Sequence, residues 1–400
     1  MIKTLLKFYI LFTLLLTGNM LYPQKGVNLN KGGTKQKHYY TVIPYKEVKS
    51  KVIVQCSING KPYNFFVDTG AAMSITPKVF KELQPDIIGT VLMNDQAGIV
   101  DSIQVANLNN ITLGNVTFSN IPTAVVKDSE IFECFGVDGL IGSNLLRNSI
   151  IQFSAQTHTV IITDDSKRLN LKRKYASRME LSTVQSNPFI RIEAINGNTT
   201  ATDNLLFDSG MEGFYDLNIN SFHQAAGHLQ LFTVLSKAKG SYTWGLNGLP
   251  LAQDYYKVSV PQLKINNATF KNVIIETTYG NSSRIGAGLF DYGLVTLDYK
   301  NKKFYFEPYA TTNYDLQTKD WPFAPTLKDG KLVVGIVWGE IWRQVIIPGD
   351  EIVEFNGKVY KDADFCSIIT SSNKTANTRA KLVLKDATTG EIKEIEVYKE

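Results

Sequence analysis

Two tripeptides of this 400-residue chain carry an acid, a hydroxyl and a glycine in the same order: Asp68-Thr69-Gly70 and Asp208-Ser209-Gly210. Each follows an apolar run, Phe65-Phe66-Val67 before the first and Leu205-Leu206-Phe207 before the second. An Asp at the end of an apolar strand is placed in a partly buried cleft. The hydroxyl after it holds the turn, and the glycine permits a backbone shape closed to other residues. Two carboxylates brought together cannot both ionise cheaply, so they share one proton and titrate as a pair. The ionised member can take a proton from a water; the protonated member can polarise a carbonyl and later donate. That is general acid–base hydrolysis of a peptide bond, a chemistry that calls for no metal, cofactor or covalent intermediate.

One such triplet carries little weight, because ordinary Gly, Asp, Ser and Thr usage produces it by chance about once in several chains of this length. Here the two lie 140 residues apart at matching positions of a repeat. Val52 runs to an Asn59-Gly60 turn, and Phe189 runs to an Asn196-Gly197 turn. Leu113-Gly114-Asn115-Val116-Thr117-Phe118 is echoed by Ile265-Asn266-Asn267-Ala268-Thr269-Phe270, and Ile141-Gly142 by Ile285-Gly286. Short alternating apolar runs between Asn/Gly turns read as β throughout. The body is therefore two β domains of similar plan that face each other as a pseudo-dimer.

These residues resemble the aspartic proteases, and most closely the retropepsin-like branch. Phe65 to Ala71 is similar to the family's active-site turn, and Leu140-Ile141-Gly142 to the hydrophobic-hydrophobic-Gly element that braces it. Leu206 to Gly210 and Ile285-Gly286 form the second set, so the resemblance covers roughly residues 48–308. It implies Asp68 and Asp208 as the catalytic dyad acting on a polypeptide substrate. It implies Thr69, Gly70, Ser209 and Gly210 as support for the two turns, with the hydroxyls bonding across the lobe interface. It also implies a mobile hairpin over the cleft, for which Gly98, Trp244 and Gly245 are the candidates. Met211 stands where the family carries Ala, Ser or Thr, and Arg284 where it carries an apolar residue. These departures keep a second class open, a catalytically silent two-lobe protein that binds peptides in the same cleft. Ala71 and Met211 bring no hydroxyl to the carboxylates, so the dyad is expected to be less acidic than that of digestive aspartic proteases.

The ends read differently. Lys3 and Lys7 precede an apolar run from Phe8 to Leu16, broken by Thr17-Gly18-Asn19. That is the pattern of a secretory signal peptide over residues 1–24, so the expectation is an exported protein: periplasmic, in the cell envelope or secreted. Residues 25–47 read as a leader, 48–165 as lobe 1, 166–180 as a linker with the basic run Lys172-Arg173-Lys174, 181–308 as lobe 2 and 309–322 as a second linker. Residues 323–400 form a separate module, in which Pro348-Gly349-Asp350 is followed by an apolar stretch and Asn356-Gly357. This resembles a PDZ domain, with Asp350 and Asn356-Gly357 in structural turns. The resemblance implies that an extended peptide or C-terminal tail adds to the edge of its sheet. The fold expected is mainly β: two pseudo-symmetric acid-protease β-barrel lobes followed by a small PDZ-like β/α domain, monomeric as a whole.

The net charge of +5 is spread along the chain, which gives no case for nucleic acid. Membrane contact is expected only through an uncleaved N-terminus. Cys56, Cys134 and Cys366 are odd in number and far apart, forming neither a disulfide framework nor a zinc site. The protein is expected to rely on its cores rather than on crosslinks, with pairing of Cys56 and Cys134 left open. His223 and His228 are five apart, poor spacing for two ligands on one helix face, and read as surface residues. Trp338 and Trp342 read as buried packing.

Overall fold

The structure is a computed structural model that describes residues 27–127, 130–226, 231–243, 245, 248–360, 363–371 and 376–400. The signal-peptide segment, Trp244 and His228 lie outside the described residues. The chain is mainly β, with two lobes of one plan and a small third unit.

In the first lobe the β-branched strand Lys51–Ile58 and the aromatic-rich strand Lys61–Asp68 form a hairpin. Asn59 and Gly60 close it with φ of 52° and 83°, the left-handed pair that a two-residue hairpin turn needs. In the second lobe Pro188–Asn196 and Thr199–Asp208 repeat the arrangement, again closed at Gly197. Each Asp-bearing strand then gains a parallel neighbour. Gly139–Gly142 lies beside the first, with Gly142 opposite Asp68; Arg284–Gly286 lies beside the second, with Gly286 opposite Asp208. A Cβ on Gly142 would lie 2.1 Å from the Ala72 carbonyl carbon, and one on Gly286 2.3 Å from the Gly213 oxygen, so only glycine lets the backbones cross there.

The lobes are joined by a shared sheet. Ile150–Ser154 of lobe 1 pairs antiparallel with Gly293–Asp298 of lobe 2, and this seam is the pseudo-two-fold centre. Outward from it lie Thr159–Thr163 and Tyr40–Val48 on one side, Lys303–Pro308 and Ala176–Leu181 on the other. Phe153 stacks on Phe290 at 4.8 Å, and Phe290 meets Phe207, so the apolar core runs unbroken from one lobe to the other under the two turns. Each fully buried Phe contributes about 1.5–3 kcal/mol relative to exposure.

The third unit has strands Phe323–Lys328, Lys331–Val337, Glu351–Phe355, Lys358–Val359, Arg379–Lys385 and Ile392–Tyr398, a 3-10 turn at Glu340–Gln344 and, among the described residues, one α-helix, Phe365–Thr370. It has its own core, built around Val334, Ile346, Leu382, Leu384 and Val397. Trp338 and Trp342 are buried in packing, and Asp350 accepts from the Ile347 and Ala387 amides, fixing the turn. His223 is exposed.

Three boundaries differ from the sequence reading. The leader ends in a strand, Tyr40–Val48, built into lobe 1, and Leu29 is buried there too. The first linker ends in Ala176–Leu181, the outer strand of the shared sheet. Asn313–Asp315 of the second linker pairs with Thr269–Lys271. The expectation of cores without crosslinks is also corrected. Cys134 pairs with Cys366, 232 residues away, tying the lobe 1 helix Glu130–Phe135 to the helix of the third unit. Cys56 is not its partner; it is a free buried thiol whose pKa burial pushes up to about 12.

Candidate active site

The two turns meet at the pseudo-two-fold axis through four hydrogen bonds. The Thr69 amide donates to Ser209 Oγ at 3.0 Å, and the Ser209 amide donates to Thr69 Oγ1 at 3.0 Å. Thr69 Oγ1 donates to the Phe207 carbonyl at 2.7 Å, and Ser209 Oγ to the Val67 carbonyl at 2.8 Å. Each hydroxyl is thus buried, fully used, and anchored to the strand that carries the other lobe's Asp. Within each turn the glycine amide donates to its own Asp: Gly70 to Asp68 Oδ1 and Gly210 to Asp208 Oδ1, both at 2.9 Å. The opposite lobe's carboxylate presses on each glycine, so a Cβ on Gly70 would lie 2.6 Å from Asp208 Cγ, and one on Gly210 2.3 Å from Asp68 Oδ2.

Asp68 and Asp208 each lie against the other lobe's turn glycine, and their surroundings differ. Burial, then the charge of Asp208, pushes Asp68 up to about 7, against the opposing pull of Lys51. Lys51 donates to the Gly210 carbonyl from beside the first turn. Asp208 instead forms an ion pair with Arg284, whose Nη1 donates to Oδ2 at 3.1 Å. The guanidinium also holds Asp216, donating from Nε at 3.1 Å and from Nη2. Burial opposes the Arg284 charge, but Asp216 and Asp208 outweigh it and hold the cation. Burial raises the Asp216 pKa, with Arg284 pulling it back.

The dyad opens into a cavity of about 1090 Å³. The lobe 1 hairpin of Ile87–Asn94 and Val100–Leu108 stands over it. Gly98 lies in the tip, at φ 80°, against the backbone of Tyr279 in lobe 2. Gly245 lies in the matching lobe 2 loop, where a Cβ would strike the Asp95 carboxylate of that tip. The two glycines picked from sequence as hairpin candidates therefore sit on facing loops that touch across the cleft. Leu92, 78 % exposed, lies on the lobe 1 hairpin and lines the cavity.

Sequence reasoning singled out Arg284 as a departure but did not find Asp216, its partner, or Lys51. Asp216 pairs with Arg284 across two antiparallel strands, a register that nothing in the linear spacing announces. Asn187, also missed, donates to the Gly70 carbonyl at 2.7 Å and ties the first turn to lobe 2.

With this geometry in view, residues 54–148 match the family described as "gag-polyprotein putative aspartyl protease". The match supports an aspartyl-protease reading of lobe 1. A sequence search among curated proteins finds no match. Among the solved structures that align with the chain are the following. An aspartic proteinase from Irpex lacteus aligns over 68 % of this chain and 98 % of its own, with TM-score 0.41 and 12 % identity. Conglutin gamma, a basic 7S globulin from lupine seeds, aligns over 69 % and 96 %, with TM-score 0.39 and 10 % identity. A retropepsin-like aspartic protease from Rickettsia conorii aligns over 33 % and 94 %, with TM-score 0.24 and 19 % identity.

Proposed function

We propose that this protein is an exported aspartic-type endopeptidase in which Asp68 and Asp208 act on polypeptide substrates. The observation that carries the reading is the reciprocal bonding of Thr69 and Ser209, which sets each carboxylate against the other lobe's turn glycine at a cleft floor. A polypeptide lying in the cleft presents its scissile carbonyl to the pair. The Asp208 carboxylate takes a proton from a water as the water oxygen bonds to the carbonyl carbon. The Asp68 carboxyl gives its proton to the carbonyl oxygen, leaving a neutral tetrahedral diol. The diol then returns a hydroxyl proton to Asp68. The C–N bond breaks, and the leaving nitrogen takes the proton held by Asp208, which restores the starting state. Asp68 is given the acid role because burial and its neighbour raise its pKa to about 7, so it is the member that holds a proton.

Residues 1–24 serve as the export signal, and the third unit serves as a PDZ-like module that binds peptide. The test is cleavage of an unfolded protein by the purified chain. It should vanish in Asp68→Asn and in Asp208→Asn separately, and be blocked by a transition-state mimic bearing a tetrahedral hydroxyl, since such mimics bind far more tightly than substrate. Retained cleavage in either variant rejects the shared dyad. One observation favours the silent peptide-binding reading: Arg284 occupies an oxygen of Asp208. That reading predicts no cleavage by the wild-type chain, with peptide binding retained.

A further inference from the structure

We propose that Lys49 is a specificity residue of the cleft, which receives a glutamate side chain of the polypeptide substrate a few residues from the bond that the dyad cuts. The inference rests on the protease reading and adds to it a preference for acidic substrates.

Among the described residues, four cations line the cavity that contains Asp68 and Asp208: Lys49, Lys51, Lys127 and Arg284. Three of them are engaged. Arg284 holds Asp208 and Asp216, Lys127 pairs with Asp101, and Lys51 donates to the Gly210 carbonyl. Lys49 is half-buried and forms no ion pair with any described residue. Its charge is therefore directed to whatever enters the cavity.

Lys49 is held at this place by an unfavourable turn. With Ser50 it forms the two-residue connection between Tyr40–Val48 and Lys51–Ile58, where Val48 pairs with Lys51. The two φ values are 51° and 61°. Such a turn favours Asn, Asp and Gly, which take positive φ at little cost. Asn59 and Gly60 fill the next turn of the same sheet in that way. Among the described residues, Lys49 is the one non-glycine residue with positive φ that lines the cavity. A contact with substrate accounts for a lysine where the backbone disfavours one.

The distance and the surroundings suit a glutamate. Ile53 pairs with Phe66, and that register continued by two residues brings Lys51 level with Asp68. Lys49 lies two residues further, its Cα at most about 7 Å from that of Lys51. Val48, next to it, packs on the cluster of Phe66, Phe132 and Leu140, and Phe66 meets Phe135 at 5.3 Å. Phe66 and Phe135 line the cavity, so the methylenes of a glutamate have an apolar surface to lie on while its carboxylate meets the ammonium. An ion pair over such a surface is stronger than one in open water. Glu212, exposed on the second turn, lines the same cavity and repels an acid placed beside it. The preference is thereby confined to one stretch of the substrate.

The test uses peptides of about ten residues, an extended span of roughly 33 Å, each carrying one Glu at successive positions on either side of a fixed scissile bond. A matched set carries Gln, which has the same stem and no charge. At one position within about four residues of the bond, the wild-type chain should cut the Glu peptide about fivefold more efficiently, by kcat/KM, than the Gln peptide, the gain of a partly exposed ion pair. That ratio should fall to near one in Lys49→Asn and invert in Lys49→Glu. Lys49→Asn suits the left-handed turn, so its urea midpoint should be no lower than that of the wild type. Equal efficiency at every position, or a ratio that survives Lys49→Asn, overturns the proposal. A ratio lost together with a lowered urea midpoint makes Lys49 a structural residue and overturns it as well. If no peptide is cut, the protease reading itself has failed. The two sets are then compared by fluorescence anisotropy on the wild-type chain, where the Glu peptide should bind about fivefold tighter at that position, and no tighter in Lys49→Asn. Equal binding of the two sets to the wild-type chain overturns the role of Lys49 independently of catalysis.

Discussion

Arg284 Nη1 lies 3.1 Å from Asp208 Oδ2, in a molecule whose two halves otherwise repeat each other closely at the dyad. The matching position in lobe 1 is Leu140: Leu140-Ile141-Gly142 runs beside Phe66-Val67-Asp68 as Arg284-Ile285-Gly286 runs beside Leu206-Phe207-Asp208. Asp208 therefore has a guanidinium bonded to it from its brace strand, where the other brace strand carries an apolar side chain. Asp68 is instead acted on by the charge of Lys51, from a different strand. The backbone scaffold is symmetric while the cations around it are placed differently.

Replacing Arg284 by Leu should lower kcat/KM, because Asp208 loses the Nη1 hydrogen bond that fixes its carboxylate. The same change leaves Asp208 and Asp216 without their cation in a buried place, at a cost of about 3–5 kcal/mol in urea denaturation. Arg284→Leu combined with Asp216→Leu should recover most of that loss. If Arg284 instead silences Asp208, the single variant will be more active than wild type at every pH, and the role given to Arg284 here is wrong.

Asp68 ties the stability of the protein to pH. Its folded-state pKa, about 7, stands above the ordinary Asp value of 3.8, with burial the main cause. The folded chain then holds a proton that the unfolded chain has released. Stability from this group is fully present below about pH 4 and is lost as pH rises to about 7. Asp68→Asn should flatten this slope, so urea midpoints of variant and wild type should be closest near pH 4 and diverge in favour of the variant by pH 8. A midpoint difference that stays constant across the range contradicts the raised pKa. For the active enzyme the same group sets the alkaline limb, with activity falling as Asp68 loses its proton near neutrality.

Much of the site is legible in the sequence because it is written locally. Val67-Asp68-Thr69-Gly70 and its partner are strand-to-turn signals that need no distant information, and their spacing exposes the repeat. What escaped is long-range. Tyr40–Val48 contains Pro44 and reads as loose leader, yet it forms the outer strand of the shared sheet, where one missing amide is tolerated. Asn313–Asp315 is only three residues long, with Tyr314 stacked on Phe270 between two exposed polar residues, so it has too little pattern to read as a strand beside Thr269–Lys271. Cys134 and Cys366 carry no mark of their pairing, since 232 residues of separation say nothing of distance in space. Arg284 broke the family's pattern visibly, but its meaning depended on Asp216 across a strand pair.

Thr69 is the hydroxyl on which both lobes converge, so its replacement is a test of assembly. Thr69→Val removes the donor to the Phe207 carbonyl and the acceptor for the Ser209 amide, leaving two buried groups unmatched. At about 1–3 kcal/mol for each, the expected loss is about 2–6 kcal/mol. Thr69→Ser keeps both bonds and should cost about 1 kcal/mol for the lost methyl. Cleavage should fall in the Val variant even at temperatures where it stays folded, because a displaced turn misplaces Asp68. Equal stabilities for Val and Ser would show that the reciprocal bonds contribute little.

Leu92 is exposed on a hairpin and lines the same cavity as Asp68 and Asp208. Its removal costs the free protein almost nothing, because no packing is lost. A substrate lying in the cleft would cover it, and a covered Leu contributes about 1.5–3 kcal/mol. Leu92→Ala should therefore leave the urea midpoint unchanged and raise KM roughly tenfold, with kcat little altered, since the contact would be made alike in ground and transition states. A fall in kcat at constant KM would instead place Leu92 in closure of the hairpin over the reacting bond. An unchanged KM would mean that substrate passes without touching this strand.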